Sequence, residues 1–160
     1  MAIYVSSGEI SSGAVLFNDS MYIYDGGAAN STTVNSGGYL CISAGGTHTG
    51  VLTVAEDAVV SAYAGSIVVM DISERTGNDP VLINDISRIS GFPNYTVIVS
   101  ADQAENVYKL AGNAAAFRRD ISITVDGSGE SAKLKWSGSA YGSVSIDGLA
   151  YSIEIGRAHV

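Results

Sequence analysis

The chain has 160 residues, of which 46% are hydrophobic and 15% charged, with a formal net charge of −8. Disorder is excluded, because it needs low hydrophobicity and high charge. Nucleic acid and anionic lipid are excluded as partners, because their phosphates call for Lys and Arg.

Nineteen glycines against two prolines predict many turns and few solvated helices. The acidic residues are scattered, which suits solubility more than recognition. The single cysteine, Cys41, rules out an internal disulfide and reads as a small hydrophobe on a strand. No apolar run is long enough to cross a membrane as a helix, so no membrane insertion is expected. The opening, MAIYVSSGEISSG, lacks a basic n-region and does not read as a Sec signal peptide.

Repetition is the strongest signal. Three stretches align: Ile3 to Ser20, Met21 to Gly38, and Tyr39 to Ala58. Each opens with an alternating strand (Tyr4-Val5-Ser6, Tyr22-Ile23-Tyr24, Leu40-Cys41-Ile42) and reaches a glycine turn at Gly8, Gly26-Gly27 or Gly45-Gly46. A second strand follows around Leu16, Val34 or Val54, and a polar turn closes the unit at Asn18-Asp19, Asn35 to Gly38, or Glu56-Asp57. Val59 to Ser73 reads as a last, altered copy. The period is about 18–20 residues, short for a domain but right for one circuit of a repeat fold. Two strands and two turns per circuit predict a short parallel β-solenoid over residues 1–72, with apolar residues stacked inward. A β-sandwich of short, evenly spaced strands is the competing arrangement, but it does not explain why successive turns resemble one another.

SERTGNDP (Ser73 to Pro80) breaks the pattern, and residues 73–94 read as a linker. VLINDISRI (Val81 to Ile89) fits one or two helical turns, or a short strand and turn. Strand signals resume in YTVIVS, VYKLAG, ISITV, AKLKWSG, GSVSID and LAYSIE. With hairpin dipeptides at Asp126-Gly127 and Asp147-Gly148, they predict a small antiparallel β-meander over residues 95–154. That meander would cap the solenoid. The whole chain is therefore expected to be all-β. The ending EIGRAHV can be encoded by a string that matches a common sequencing adapter. Residues 155–160 are set aside as an adapter-derived tail, with Arg157 and His159.

Chemical motifs are sparse. The acidic pairs Glu56-Asp57, Asp71 with Glu74, and Asp102 with Glu105 fit turn residues better than the facing carboxylates of a glycosidase. DGSGE (Asp126 to Glu130) lacks the ligand spacing of a calcium loop. His48 has no metal-binding partner, so no metal and no cofactor are expected. No nucleophile elbow or phosphate loop occurs. Tyr22, Tyr24 and Tyr39 cluster in the repeats and are the candidate ligand-binding residues, suited to stacking on sugar rings or meeting a partner protein.

The elements SSG (Ser6 to Gly8), GGAANSTTVNSGG (Gly26 to Gly38) and SAGGT (Ser43 to Thr47) resemble the AIDA-type repeats of bacterial autotransporter adhesins. Residues from about Val59 into YTVIVSADQAENVYKLAGNAAAF look like a region that follows such repeats in large surface proteins. The resemblance implies a right-handed β-helix passenger displayed outside the cell and often adhesive. Its partner would be a host or bacterial surface protein or glycan, and stacking onto further repeats of a parent protein is compatible with it. It also implies glycosylation candidates at Ser31, Thr32, Thr33 and Ser36. The expected function is therefore non-catalytic, structural or adhesive, and not enzymatic. A fragment of a carbohydrate-active β-helix enzyme is the alternative.

Overall fold

Alternation of apolar and polar residues commits one face of a strand to the interior, and frequent glycine and Asx turns keep the strands short. The computed structural model describes residues 1–113, 119–137, 143–146, 149–154 and 157–159. Apart from one 3-10 turn it is all-β, and its sheets are mostly parallel.

The first circuit of chain holds β1 (Ala2–Val5), β2 (Ile10–Ser12) and β3 (Val15–Leu16). The next holds β4 (Ser20–Ile23) and β5 (Ala28–Val34), followed by β6 (Tyr39–Ile42) with β7 (Thr47–Val54), and β8 (Val59–Ala62) with β9 (Ile67–Asp71). In the first sheet Ala2 lies opposite Ser20, Ser20 opposite Tyr39, and Tyr39 opposite Val59, offsets of 18, 19 and 20 residues. The second sheet repeats those offsets, with Ile10 opposite Ala28, Ala28 opposite Thr47, and Thr47 opposite Ile67. The segments expected to lie side by side do so, with Tyr22 opposite Cys41 and Ile23 opposite Ile42.

Parallel register stacks like on like. Val5, Ile23, Ile42 and Ala62 form one buried row, and Met21, Leu40, Val60 and Ile89 another. The glycine turns stack as well: the amide of Gly8 donates to the carbonyl of Gly26 at 3.1 Å, and that of Gly26 to Gly45 at 3.1 Å. Gly26 has φ +77, a region costly for other residues. At Gly27 a Cβ would meet the Val5 carbonyl oxygen at 2.3 Å, so the second glycine answers the close approach of the preceding circuit.

Three features depart from the sequence reading. First, a circuit has a third segment. Gly13 (φ +69), Ser31 (φ +57) and Gly50 (φ +75) bend the second strand in its middle, and the register between β5 and β7 shifts between Asn30 and Thr32.

Second, parallel pairing does not stop near Asp71. After the 3-10 turn (Ile86–Arg88), β10 (Ile89–Gly91) joins β8 with Ile89 opposite Val60. β11 (Asn94–Val99) joins β9 with Asn94 opposite Ile67, and β13 (Ile121–Val125) joins β11 with Thr96 opposite Ser122. The antiparallel arrangement expected to begin at Tyr95 instead begins at β14 (Ser131–Leu134), which folds back on β13 through the Asp126-Gly127 turn.

Third, the segment that resembled a linker re-enters the sheet. Ile83 bridges in parallel to Leu52 on one side and Ala111 on the other.

A separate four-stranded antiparallel sheet has the order β12 (Val107–Lys109), β17 (Arg157–His159), β16 (Leu149–Glu154), β15 (Ser143–Ile146). Arg157–His159, from the segment set aside as a tail, thus form its second strand. The Asp147-Gly148 hairpin lies outside the described residues. One apolar cluster runs from Val5 through both parallel sheets to Leu134 and Tyr151.

Candidate functional surface

The tyrosines sit on the outer face of the first sheet because alternation turns Ile3, Val5, Met21 and Ile23 inward. Tyr4 lies opposite Tyr22, and the row continues through Cys41 and Ser61. The Tyr4 and Tyr22 ring centroids are 5.5 Å apart with planes at 15°; Tyr4 and Tyr24 are 6.2 Å apart at 4°. Tyr39 meets Tyr22 at 5.9 Å with planes at 57°. The structure therefore brings the three candidate tyrosines into one cluster and adds Tyr4, which sequence reasoning left out. Its signal was its place in the first copy of the repeat, equivalent to Tyr22.

Tyr4 is 60% exposed and Tyr24 41%, whereas Tyr22 and Tyr39 are half-buried. Near-parallel rings at these spacings cover some of each other's faces. What they leave to solvent is ring edges, hydroxyls and the outer portions of Tyr4 and Tyr24. The Ser61 hydroxyl bonded to Tyr39 lowers its pKa, but burial and the neighbouring Cys41 outweigh that and the net shift is upward. Such a surface can stack against a sugar or hydrogen-bond a protein.

The glycosylation candidates fall in different environments. Ser31 and Ser36 are exposed and Thr33 is half-buried. Thr32 is 1% exposed with its hydroxyl inside the core, so it is no acceptor in the folded chain. The Ser36 hydroxyl donates to the carboxylate of Asp57 one circuit later.

His48 is wholly buried, opposite Ala29 on one side and Val68 on the other, and neither ring nitrogen has a hydrogen-bond partner. Burial pushes its pKa down to about 4. Cys41 is buried too. Among the described residues no three His, Cys, Asp or Glu side chains converge as metal ligands would.

The acidic pairs lie in turns and bends, except that Asp71 is the last residue of β9. Asp71 accepts from the amide and hydroxyl of Ser73 at 2.9 and 2.6 Å. Asp102 accepts from the Ser100 hydroxyl, which holds its carboxyl below the usual range. In the DGSGE stretch, Gly127 (φ +84) and Gly129 (φ +73) make the β13–β14 hairpin.

Sequence reasoning missed an open cleft of about 670 Å³ over the outer face of the second sheet, lined by Phe92, Thr96, Arg119, Asp120, Ser122 and Lys133. Arg119 lies 5.1 Å from the Phe92 ring centroid and 5.8 Å from that of Tyr95. Its guanidinium donates to the carbonyls of Pro93 at 3.0 Å and Gly91 at 3.3 Å. The Trp136 amide, at 2.8 Å from Asp120, holds that carboxyl below its usual range, and Lys135 sits 3.5 Å away. No motif flagged this cleft, because residues far apart in sequence meet there through the pairing of β13 with β11 and with β14.

No family model matches the sequence, and neither a curated protein nor a solved structure matches the chain.

Proposed function

We propose that this chain is a β-solenoid segment of a bacterial cell-surface or secreted protein of the AIDA-repeat autotransporter type. It works as a non-catalytic scaffold that presents a tyrosine face to a glycan or surface protein. The observation that carries the reading is the ladder of offsets 18, 19 and 20, which sets turn on turn and tyrosine beside tyrosine. A rigid repeating wall with an aromatic outer row suits adhesion: its side chains are pre-ordered, so binding costs little conformational entropy. In this reading Ser31, Thr33 and Ser36 are the modification candidates. No described helix is long and apolar enough to cross a membrane.

The test is binding to a panel of glycans and of bacterial and host surface proteins, comparing the wild type with the double variant Tyr4→Ala, Tyr24→Ala. Binding that the variant loses supports the proposal. Equal binding by both forms, or none at all, removes the tyrosine face from it.

The carbohydrate-active alternative draws on the cleft at Arg119, a groove lined by charges of both signs. Glycoside hydrolysis needs two carboxylates flanking the bond, and this cleft offers one, Asp120. Polysaccharide turnover that disappears in Asp120→Asn would replace the adhesive reading with this one.

A further inference from the structure

We propose that the cleft lined by Phe92, Arg119 and Lys133 is a binding site for an acidic saccharide, a sugar whose ring packs on Phe92 and whose carboxylate pairs with Lys133. The site lies on the second sheet and is independent of the tyrosine face on the first. Its volume of about 670 Å³ falls within the range of about 300–1,000 Å³ usual for ligand clefts.

Phe92 is 72% exposed, yet its backbone is pinned on both sides. Its amide donates to the Ala62 carbonyl at 3.0 Å. Gly91 before it has φ +101 and packs so closely that a Cβ would run into the same oxygen. The Arg119 guanidinium donates to the carbonyls of Gly91 and Pro93, the residues on either side of the ring. An exposed aromatic ring on a fixed corner is a ready stacking platform, because little entropy is lost when a ligand lands on it.

Charge and floor select the ligand. Residues 1–74 hold no lysine or arginine, and the net charge is −8. Three of the eight basic residues nonetheless gather here: Arg119 and Lys133 line the cleft, and Lys135 sits 3.5 Å from Asp120 and offsets its charge. Lys133 is exposed, and among the described residues its ammonium is in no ion pair. Thr96 lies opposite Ser122 and Ser122 opposite Lys133, so two hydroxyls lead across the sheet to that ammonium at strand spacings of about 4.8 Å. Such spacings match those of hydroxyls across a sugar ring. β11 and β13 are each paired on both sides, so neither offers an edge for an acidic peptide to extend. Asp120 in the same cleft repels densely charged polyanions, whereas a sugar with one carboxylate per ring places little charge against it.

Isothermal titration calorimetry of the whole chain with a short oligogalacturonate and with sialyllactose tests this. A neutral maltooligosaccharide, an oligoglutamate and dextran sulfate serve as comparison ligands. The expected result is binding of at least one acidic sugar that weakens as salt rises, with every comparison ligand at least about tenfold weaker. Lys133→Gln and Phe92→Ala change exposed side chains and should leave the circular dichroism as it is. Each should weaken binding about tenfold, the scale of one charge-assisted or stacking contact. The double variant Tyr4→Ala, Tyr24→Ala should bind as the wild type does, so this site and the tyrosine face stand or fall separately. The proposal is overturned if neither acidic sugar binds, if a comparison ligand binds equally well, or if either Lys133→Gln or Phe92→Ala changes nothing. Loss of binding in the tyrosine variant would overturn it too, by moving the sugar to the first sheet.

Discussion

Leu52 lies opposite Ile83 in parallel register, 31 residues later in the chain, although every earlier neighbour in these sheets is 18–20 residues away. Both side chains are buried, at 0% and 1% exposure. The residues from Ile72 to Val81 form an excursion whose ends return to the same wall. Truncating either side chain removes buried area and leaves a cavity. Leu52→Ala and Ile83→Ala should each cost about 2–5 kcal/mol in urea unfolding, and the double variant less than their sum because the two cavities merge. A loss below about 1 kcal/mol for both would place Ile83 outside the core.

Asn84 completes that junction. Its side-chain amide donates to the Val54 carbonyl at 2.9 Å and accepts from the Val54 amide at 2.8 Å, standing in for a strand neighbour. Arg88 adds a bond to the same carbonyl at 2.6 Å. Asn84→Ala leaves the Val54 amide without its acceptor, for a loss of about 1–3 kcal/mol. Asn84→Asp keeps the acceptor and loses the donor, and is expected to fall between wild type and Ala at pH 7. Equal stability of all three would refute the pairing.

His48 makes stability depend on acid. Its pKa drops from 6.5 in the unfolded chain to about 4 in the core, so between those values the unfolded state binds more protons. The stability gained by keeping it neutral is whole above pH 6.5, erodes as pH falls, and is gone below about 4. The shift corresponds to about 3 kcal/mol. The unfolding midpoint in urea should therefore drop between pH 7 and pH 4, and His48→Val, matching Val68 beside it, should flatten that slope. The depressed carboxyls Asp85 and Asp120 act in the same direction but lower on the pH scale. A wild-type curve that stays flat above pH 5 would show that the imidazole reaches solvent.

Glycines at different stations of the turns should differ in cost. Gly8→Ala meets nothing within 4 Å and carries only the left-handed backbone penalty, about 1 kcal/mol. Gly27→Ala drives a methyl into the Val5 carbonyl and must push neighbouring circuits apart, so its thermal midpoint should fall further. The reverse order would argue against close stacking at that turn.

The tyrosine ladder should couple energetically. A double-mutant cycle on Tyr4 and Tyr22, each replaced by Ala, is expected to give an interaction of about 0.5–1.5 kcal/mol, typical of offset aromatic pairs. Additive losses would mean that the rings pack independently.

The repeat was legible because parallel stacking writes itself into sequence. Each circuit must place the same kinds of residue at the same station, so glycine turns and apolar rows recur at a fixed spacing. Gly8, Gly26 and Gly45 and the inward rows could be read in this way, and so could the cluster of Tyr22, Tyr24 and Tyr39. The bend at Ser31 was hidden because one of its three stations carries serine, although Gly13 and Gly50 mark the others. Tertiary structure alone decided the rest. The chain leaves the wall after Asp71 and again after Val99, and a pattern with a fixed period cannot follow an interruption of variable length. Where the chain rejoins depends on which free edge and which apolar row are available, and those belong to the folded stack. For the same reason β11 and β13 continue the parallel sheet although their local alternation fits an antiparallel hairpin equally well. Alternation specifies which face is buried, and only the neighbouring strand specifies direction.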